Sequence, residues 1–165
     1  MSADGRGKGT YRGKLISVGG SDRVRVPALA MHLERWLHAR GVQVVQFSLP
    51  TRGPVGALIR LQAQSRLRLD PVSLALLWTA DRLDLLSREG GILAQLEAGT
   101  TVLCMRYAWW ETCHKAENLV DPIWLERINA RCTRPDLALC ADGERSLGLC
   151  QQEISALLWP GEEVV

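Results

Sequence analysis

The sequence lacks the features that mark membrane, secreted and zinc-binding proteins. No apolar run approaches the ~20 residues that a helix needs to span a bilayer. The N-terminus is polar and rich in glycine, without the apolar segment of a secretory signal. The five cysteines are odd in number and widely spaced, with no C-x-x-C pair, which argues against a zinc site or a disulfide framework. We therefore expect a cytoplasmic protein with no membrane contact and no metal site.

Lysine is also scarce, since only Lys8, Lys14 and Lys115 occur in the chain. Arginine supplies the rest of the 20 basic side chains, and 18 acidic ones leave a formal net charge of +2. This balance gives no general attraction to nucleic acid or to a membrane surface, so neither is expected as a partner. With 165 residues, 47% of them apolar and 23% charged, the composition suits one globular domain. We expect a flexible tail over residues 1–12 and a single domain over 13–165.

What the chain does contain is a regular alternation of apolar strands and helices. Strands are predicted over residues 14–20, 42–49, 100–107 and 135–142. Helices are predicted over residues 26–41, 53–64, 71–89, 92–99, 121–132 and 144–158. Because the strands are apolar on both faces, we predict an α/β fold of three layers, in which a parallel sheet of four to five strands carries helices on both faces. Ligands of such sheets bind at the carboxyl ends of the strands.

The stretch ISVGGSDRVRVPALAMHLERWL has the outline of a strand, a glycine turn and a helix, which is where many folds hold a phosphate. A Walker loop of that kind reads G-x-x-x-x-G-K-[ST]. Counted from Gly19, the places of the second glycine, the lysine and the hydroxyl residue are filled by Val24, Arg25 and Val26. Gly19 and its neighbour Gly20 are therefore either the remnant of a phosphate loop or a tight turn that binds nothing.

Six segments follow one another in an order and spacing that belong to a known family. They are GKLISVGG, RGVQVVQFSLP, GPVGALIR, LLWTADR, LEAGTTVLCMRY and DPIWLERINARCTRPDLALCAD. In this respect the chain resembles the thymidylate kinase family of P-loop nucleoside monophosphate kinases across roughly residues 13 to 142. The resemblance implies a P-loop NTPase-like fold. It also implies an enzyme that transfers phosphate from ATP to dTMP with the help of Mg²⁺.

Several positions depart from the family's pattern on the side that would hold ATP. Arg25 stands in the place of the lysine that reaches the transferred phosphates, and Val26 replaces the hydroxyl that would ligate Mg²⁺. Val24 takes the place of a loop glycine, Met105 that of the aspartate in Asp-Arg-Tyr, and Asp22 adds a negative charge to the loop. Since phosphoryl transfer relies on positioning and on charge neutralisation, these changes predict a degraded phosphate and metal site. We expect a pseudo-kinase without a cofactor; if the chain is active, its cofactors are ATP and Mg²⁺ and Arg25 acts in catalysis.

The side that would hold the acceptor nucleotide keeps more of the family's pattern. By resemblance, Trp78 matches the aromatic residue that stacks on the pyrimidine, and Arg82 matches the arginine of the Ala-Asp-Arg segment. Arg106 and Tyr107 match the rest of Asp-Arg-Tyr. The predicted nucleotide-binding residues are Gly19, Gly20, Arg25, Trp78, Arg82, Arg106 and Tyr107.

Each residue on the acceptor side also has a structural interpretation. Trp78 lies on an apolar helical stripe and could pack in the core or at a dimer interface. Asp81 and Arg82 could form a surface ion pair of little energy. Arg106 closes an apolar strand and its charge needs a partner, for which a ligand phosphate or Asp142 would serve.

Three functions stay open on these grounds: a protein that binds a pyrimidine nucleotide without catalysis, an active dTMP kinase, and a scaffold subunit. The family pairs through its long helices, and the apolar stripe over residues 74–86 permits a homodimer. Trp109 and Trp110 form a candidate patch for a protein partner. The family continues past its fourth strand into a lid, a fifth strand and a last helix, so we expect a domain truncated at the C-terminus.

Overall fold

The computed structural model describes residues 11–107, 120–142 and 147–161. Within these ranges, four parallel strands form one sheet in the order β2-β3-β1-β4. The strands are β1 (Leu15–Gly19), β2 (Val44–Ser48), β3 (Thr101–Met105) and β4 (Leu137–Cys140). All four predicted strands are confirmed, each shorter than predicted by one or two residues at either end.

Helices occupy the connections between the strands. In the described part of the chain they are α1 (Arg25–His38), α2 (Pro54–Ala63), α3 (Pro71–Ser87), α4 (Ile92–Glu97), α5 (Pro122–Ile128) and α6 (Leu147–Leu158). Each corresponds to a predicted helix, and the largest difference is that α5 ends at Ile128 rather than at residue 132. None of the helices in the described ranges combines the length and the apolar composition that crossing a bilayer requires. The predicted tail falls mostly outside the described residues, since the description begins at residue 11.

Two apolar clusters lie on the two faces of the sheet, because side chains alternate between the faces along a strand. Leu15 of β1 belongs to the first cluster, whereas Ile16 and Val18 belong to the second. In β3, Cys104 belongs to the first cluster and Leu103 to the second. Helices α3 and α4 contribute to the first cluster, and α1 and α6 contribute to the second. The predicted three-layer α/β fold is therefore confirmed.

Two helix starts show why the sequence places helices where it does. The side chain of Asp70 accepts hydrogen bonds from the amides of Val72 and Ser73 at the start of α3. Asp121 accepts one from the amide of Ile123 at the start of α5. In both helices the next residue is a proline, which loses nothing in the first turn because the amide there has no partner within the helix.

The carboxyl ends of β1, β3 and β4 meet at one edge of the sheet. Val18 lies opposite Met105, and the pairing of β1 with β4 extends to Gly19. The segments that leave these strands therefore start side by side. This places the connection from β1 to α1 next to Arg106, which follows β3, and next to Asp142, which follows β4.

Candidate functional site

The β1–α1 loop (residues 20–24) is the part of the structure that corresponds to the predicted phosphate loop. Gly20 has a φ of 140°, a value that side chains rarely adopt, so a glycine is required there. Val24 has a φ of −97° and a ψ of −45°, which places it in the right-handed region. The loop therefore makes no left-handed turn at the position where the family has a glycine. Helix α1 begins at Arg25 and has Pro27 in its first turn.

The carboxylate of Asp142 lies against the β1–α1 loop. The amide of Ser21 donates to both carboxylate oxygens at 2.8 Å, and the amide of Asp22 donates to Oδ1 at 3.4 Å. The contact is close, because a Cβ on Gly20 would lie 2.9 Å from Oδ1 of Asp142. The amide of Ser21, more than any other group, lowers the pKa of Asp142 below its ordinary value. The loop therefore holds an anion, and that anion belongs to the chain itself.

A second carboxylate, that of Asp22, occupies the start of α1. Its Oδ1 accepts from the amide of Val24 at 2.7 Å and from the amide of Arg25 at 2.9 Å. These two hydrogen bonds, that of Arg25 first, lower the pKa of Asp22. Nε of Arg25 lies 3.5 Å from Oδ2 of the same carboxylate, and the side chain of Arg25 is mostly exposed. Arg25 thus pairs with Asp22 at the surface of the loop.

Arg106 lies at the carboxyl end of β3 in an unusual conformation. Its φ is 58°, in the left-handed region, although it is not a glycine, and its side chain is half-buried. Burial in the first place, and the charge of Arg23 in the second, lower the pKa of Arg106. Within the described residues, no carboxylate pairs with its guanidinium. The suggested pairing with Asp142 is wrong, since that carboxylate binds the β1–α1 loop instead.

Arg82 and Tyr107 lie in the core and hold one another in place. Both side chains are fully buried. Nε of Arg82 donates to the backbone oxygen of Tyr107 at 2.7 Å, and Nη1 donates to Oδ1 of Asn129 at 2.6 Å. The hydroxyl of Tyr107 donates to the backbone oxygen of Thr133 at 2.7 Å. Burial raises the pKa of Tyr107 well above its ordinary value. Both residues therefore have a structural role, and their predicted contact with a nucleotide stays a prediction.

The interpretation of Asp81 and Arg82 as a surface ion pair is wrong. Asp81 is 1% exposed and Arg82 is fully buried. The carboxylate of Asp81 accepts from the amide of Thr51 at 2.7 Å and from its hydroxyl at 2.5 Å. Nη1 of Arg60 donates to the backbone oxygen of the same Thr51. The two charged residues therefore have buried hydrogen-bond partners, and those of Asp81 fix the segment that follows β2.

Trp78 of α3 is half-buried and packs against the first apolar cluster. The same helix exposes Val72 and Leu76, whose side chains have relative exposures of 44% and 46%. Trp78 therefore contributes to the core while part of its surface reaches solvent. Its predicted stacking on a pyrimidine stays a prediction. The candidate patch at Trp109 and Trp110 lies outside the described residues.

The residue that sequence reasoning missed is Asp142 in its contact with the loop. It was expected at a strand end and as a partner for Arg106, but not as a ligand for backbone amides. The sequence placed Asp142 at the end of a predicted strand, but it did not show that β4 lies beside β1, which brings the carboxylate to the loop. Asn129 was missed as well, although it accepts from both Arg82 and the hydroxyl of Thr79.

Comparisons with known proteins identify the family by two further observations, a match to a family model and similarity to a named relative. The family model described as Thymidylate kinase matches residues 28–150. The chain belongs to the thymidylate kinase family. A protein of Pyrococcus horikoshii named "Probable thymidylate kinase" is 30% identical over 136 residues, which are 79% of this chain and 65% of that protein. The chain thus spans just under two thirds of the length of this relative.

Two solved structures share the fold of this thymidylate kinase family member. The thymidylate kinase of Candida albicans superimposes with a TM-score of 0.64 at 22% identity, over 81% of this chain and 64% of that one. The thymidylate kinase of Ehrlichia chaffeensis gives a TM-score of 0.65 at 20% identity, over 79% of this chain and 73% of that one. At these identities the similarity concerns the fold.

The residues present do not fit Mg²⁺ and the triphosphate of ATP, which the family implies. A phosphate loop offers its backbone amides to the anion, but two carboxylates of the chain already accept from four of them. Those amides belong to Ser21, Asp22, Val24 and Arg25. Val26 is fully buried in the second apolar cluster and Met105 packs against it, so neither offers an oxygen ligand. In the described part of the chain, no group of three or more acidic, histidine and cysteine side chains could hold a metal ion.

Proposed function

We propose that this protein is a non-catalytic member of the thymidylate kinase family that binds a pyrimidine nucleoside monophosphate. The observation that carries the proposal is the apolar packing of Val26 and Met105. By resemblance, these are the positions where the family places the hydroxyl and the carboxylate next to Mg²⁺, and here both side chains pack with the second apolar cluster. Without a metal to neutralise the phosphates, transfer of a phosphoryl group loses the larger part of its charge stabilisation.

Arg106 supports the binding half of the proposal. It is half-buried at the edge of the sheet where ligands of parallel sheets bind. The charge of Arg23 is near enough to lower its pKa, and no carboxylate in the described ranges neutralises the pair. Two neighbouring guanidinium groups favour an anion of phosphate type, with which arginine forms strong, charge-assisted hydrogen bonds. Trp78, partly exposed, offers a face on which a base could stack.

The competing function is that of an active dTMP kinase that uses ATP and Mg²⁺. What favours it is the name carried by relatives such as the Pyrococcus protein, of which this chain spans 65%. In that case Arg25 would have to leave Asp22 and stand in for the family's lysine. A protein that transfers phosphate would also have to bind its metal through groups other than Val26 and Met105.

A turnover assay separates these two functions. The purified protein is incubated with ATP, Mg²⁺ and dTMP, and the formation of ADP that depends on dTMP is followed with a coupled enzyme assay. We expect no ADP above the background measured without dTMP. A rate that rises with dTMP and saturates would refute the proposal in favour of the active kinase.

A binding assay tests whether the protein binds a pyrimidine nucleoside monophosphate. A ligand at about 100 times its Kd adds about 2.7 kcal/mol to the free energy of unfolding, which raises Tm by roughly 5–10 °C in a domain of this size. We expect such a rise with dTMP and none with Mg·ATP. Arg106→Ala should abolish it, whereas Arg35→Ala, which removes an exposed arginine on α1, should not. If neither nucleotide raises Tm, the scaffold function replaces the proposed one.

We further propose that the protein forms a homodimer through α2 and α3. The observation in favour is that Leu58 of α2 and Val72 and Leu76 of α3 are all more than 40% exposed, although they are apolar. The two helices also pack against each other, so that their exposed side chains belong to one region of the surface. Light scattering after size exclusion should give twice the monomer mass, and Leu76→Glu should give the monomer. Ile123→Glu on α5 is the control.

A further inference from the structure

Arg106 lies where the alternation of side chains along β3 is interrupted. Leu103 and Met105 pack in the second apolar cluster, and Cys104 between them belongs to the first. Continued alternation would place Arg106 on the face of the first cluster and Tyr107 on the face of the second. Tyr107 instead belongs to the first cluster, and Arg106 has a φ of 58°. The left-handed residue therefore exchanges the two faces, as the extra residue of a bulge does, so that Tyr107 enters the core and Arg106 stays half-buried at the edge of the sheet.

The backbone is held directly before and directly after this left-handed residue. Such a conformation is costly for any residue with a Cβ and persists where the surrounding contacts fix it. On one side, the amide of Arg106 donates to the backbone oxygen of Val18 at 2.9 Å. On the other, the backbone oxygen of Tyr107 accepts from Nε of Arg82 at 2.7 Å, and its hydroxyl donates to the backbone oxygen of Thr133 at 2.7 Å. The turn at Arg106 therefore depends on where Arg82 lies.

Asn129 fixes the guanidinium of Arg82. It is 2% exposed, and its Oδ1 accepts from Nη1 of Arg82 at 2.6 Å and from the hydroxyl of Thr79 at 3.2 Å. Its Nδ2 donates to the backbone oxygen of Leu125 at 2.9 Å, so the side-chain amide is bonded through both its oxygen and its nitrogen. Because a guanidinium is planar and rigid, a bond that fixes Nη1 also fixes the direction in which Nε points to Tyr107.

The guanidinium of Arg106 lies near the β1–α1 loop. Arg23 belongs to that loop, and its charge contributes to the lowered pKa of Arg106. Arginine binds phosphate through several N–H groups in one plane, so the position of the group matters as well as its charge. A side chain that is already in place also loses less freedom when a ligand binds. Contacts that fix the backbone at Arg106 therefore also prepare the position of this group.

We propose that Asn129 is a positioning residue for the anion site. Through Arg82 and the backbone of Tyr107 it holds Arg106 in the left-handed conformation that directs the guanidinium to the phosphate of the nucleotide. The inference rests on the proposed function and deepens it, since it names what prepares Arg106 for its ligand. Asn129 acts from behind the site, at the end of α5, and exerts its effect on the ligand through Arg106.

The first test measures, without a ligand, whether Asn129 supports the left-handed backbone. Glycine adopts a positive φ without a steric cost, so the equilibrium constant of unfolding should be about five- to tenfold smaller in Arg106→Gly than in Arg106→Ala. Urea denaturation measures both, alone and combined with Asn129→Ala. We expect the advantage of glycine to shrink in the combined variants, because residue 106 can relax there. An equal advantage in both backgrounds would overturn the proposal, since Asn129 would then stabilise the fold independently of residue 106.

The second test compares the binding of dTMP with that of thymidine, which lacks the phosphate, by isothermal titration calorimetry. Asn129→Ala should reduce the ratio of the two affinities about tenfold, because a smaller fraction of the protein holds Arg106 in the binding conformation. A general loosening of the fold would weaken both ligands alike. An unchanged ratio in Asn129→Ala would therefore overturn the proposal.

Two variants of the network extend this comparison. Asn129→Asp keeps an oxygen that accepts from Arg82, so the ratio of affinities should stay close to that of the wild type. Arg82→Lys covers the case in which Asn129→Ala does not fold. It keeps the charge but lacks the rigid fork that joins Asn129 to Tyr107, so it must lower the ratio. A wild-type ratio in Arg82→Lys would contradict the proposed link.

Gln46→Leu is the matched control, because it also removes a side-chain amide that bonds between two elements. Nε2 of Gln46 donates to the backbone oxygen of Ala30 at 3.1 Å and to Oε2 of Glu34 at 2.9 Å, which joins β2 to α1. This variant should be less stable than the wild type and keep the wild-type ratio of affinities. A ratio lowered as much as in Asn129→Ala would show that any lost amide disturbs the site, and would overturn the proposal.

Failure of this inference can be told apart from failure of the proposed function. A wild type that binds no dTMP refutes the proposed function, and with it any role of Asn129 in binding phosphate. A wild type that binds dTMP more tightly than thymidine, with the same ratio in Asn129→Ala, refutes the positioning role alone. The urea measurements need no ligand, so they report on the left-handed backbone in either case.

Discussion

Nε of Arg82 donates to the backbone oxygen of Tyr107 at 2.7 Å, and this bond joins the middle of α3 to the end of β3. A hydrogen bond from the fully buried Arg82 therefore holds the backbone next to Arg106 in place at this end of the sheet. Arg82 also donates to Oδ1 of Asn129, which belongs to the end of α5. One side chain thus connects two helices and a strand behind the candidate site.

Arg82→Met should lower the free energy of unfolding by about 3 kcal/mol. The substitution keeps most of the apolar volume but removes the donor to the buried oxygen of Tyr107 and leaves Oδ1 of Asn129 with the hydroxyl of Thr79 alone. A buried group that loses its partner costs about 1–3 kcal/mol. Urea denaturation measures the change. Arg88→Met, directly after the end of α3, is the control, because Arg88 is exposed and pairs with Asp84 only at 3.9 Å. It should change stability by less than about 0.5 kcal/mol. Equal losses in the two variants would contradict the structural role of Arg82.

Asp81→Ala should lower the free energy of unfolding by about 2–3 kcal/mol. Its carboxylate is the acceptor for the amide and the hydroxyl of Thr51, and the buried amide would lose its partner. Thr51→Val removes the hydroxyl alone and should cost less, about 1 kcal/mol. Asp84→Ala, an exposed carboxylate three residues further along α3, serves as the control in urea denaturation. An Asp81→Ala variant as stable as the control would show that the network contributes nothing.

Gly56→Ala should destabilise the protein more than Gly41→Ala does. A Cβ on Gly56 would lie 2.0 Å from the backbone oxygen of Thr51, so the segment after β2 would have to move, and overpacking of this kind costs about 1–3 kcal/mol or more. A Cβ on Gly41 meets nothing within 4 Å, although its φ of 73° carries a cost of about 1 kcal/mol. The difference between the two midpoints of thermal unfolding measures the cost of the contact at Gly56 less the cost of the left-handed backbone at Gly41. A larger loss in Gly41→Ala would contradict the close approach at Gly56.

Stability should fall in acid partly because Asp142 and Asp22 become protonated. Their pKa values in the folded protein are lowered by backbone amides, that of Ser21 for Asp142 and that of Arg25 for Asp22. A lowered folded pKa means that the stabilisation is fully present above the unfolded value of about 3.9 and is lost as pH falls through the folded value. Urea midpoints measured from neutral pH to below pH ~3 should therefore fall less steeply in Asp142→Asn than in the wild type. If the urea midpoints of the wild type and of Asp142→Asn fall equally steeply with pH, the contact of Asp142 with Ser21 does not contribute to the loss of stability in acid.

The fold could be predicted from the sequence because it depends on features that are local. Strand β1 is apolar on both faces, and Leu15, Ile16 and Val18 divide between two clusters as alternation requires. The start of α3 could be predicted from Asp70 followed by a proline. Strand ends were placed one or two residues too far, because the predictions took in flanking residues such as Lys14, Gly20 and Asp142 that lie outside the strands.

The candidate site could be predicted only in part, because its contacts join distant parts of the chain. That Arg25 and Val26 stand where the family's loop has a lysine and a hydroxyl residue could be read from the sequence by resemblance. The contact of Asp142 with the loop could not be predicted, since the carboxylate and Ser21 are far apart in sequence and no pattern links them. Asp81 and Arg82 are adjacent and oppositely charged, which suggested a surface pair. Only the packing of α3 shows that each turns to a different buried partner.

The bond from Ser21 to Asp142 joins positions 121 residues apart. During synthesis on a ribosome, the first turn of α1 emerges long before the residue that completes its loop. Until β4 docks beside β1, the amide of Ser21 faces water and the loop lacks its anion. Growing chains that end before β4 therefore lack the carboxylate that the loop contacts in the folded protein.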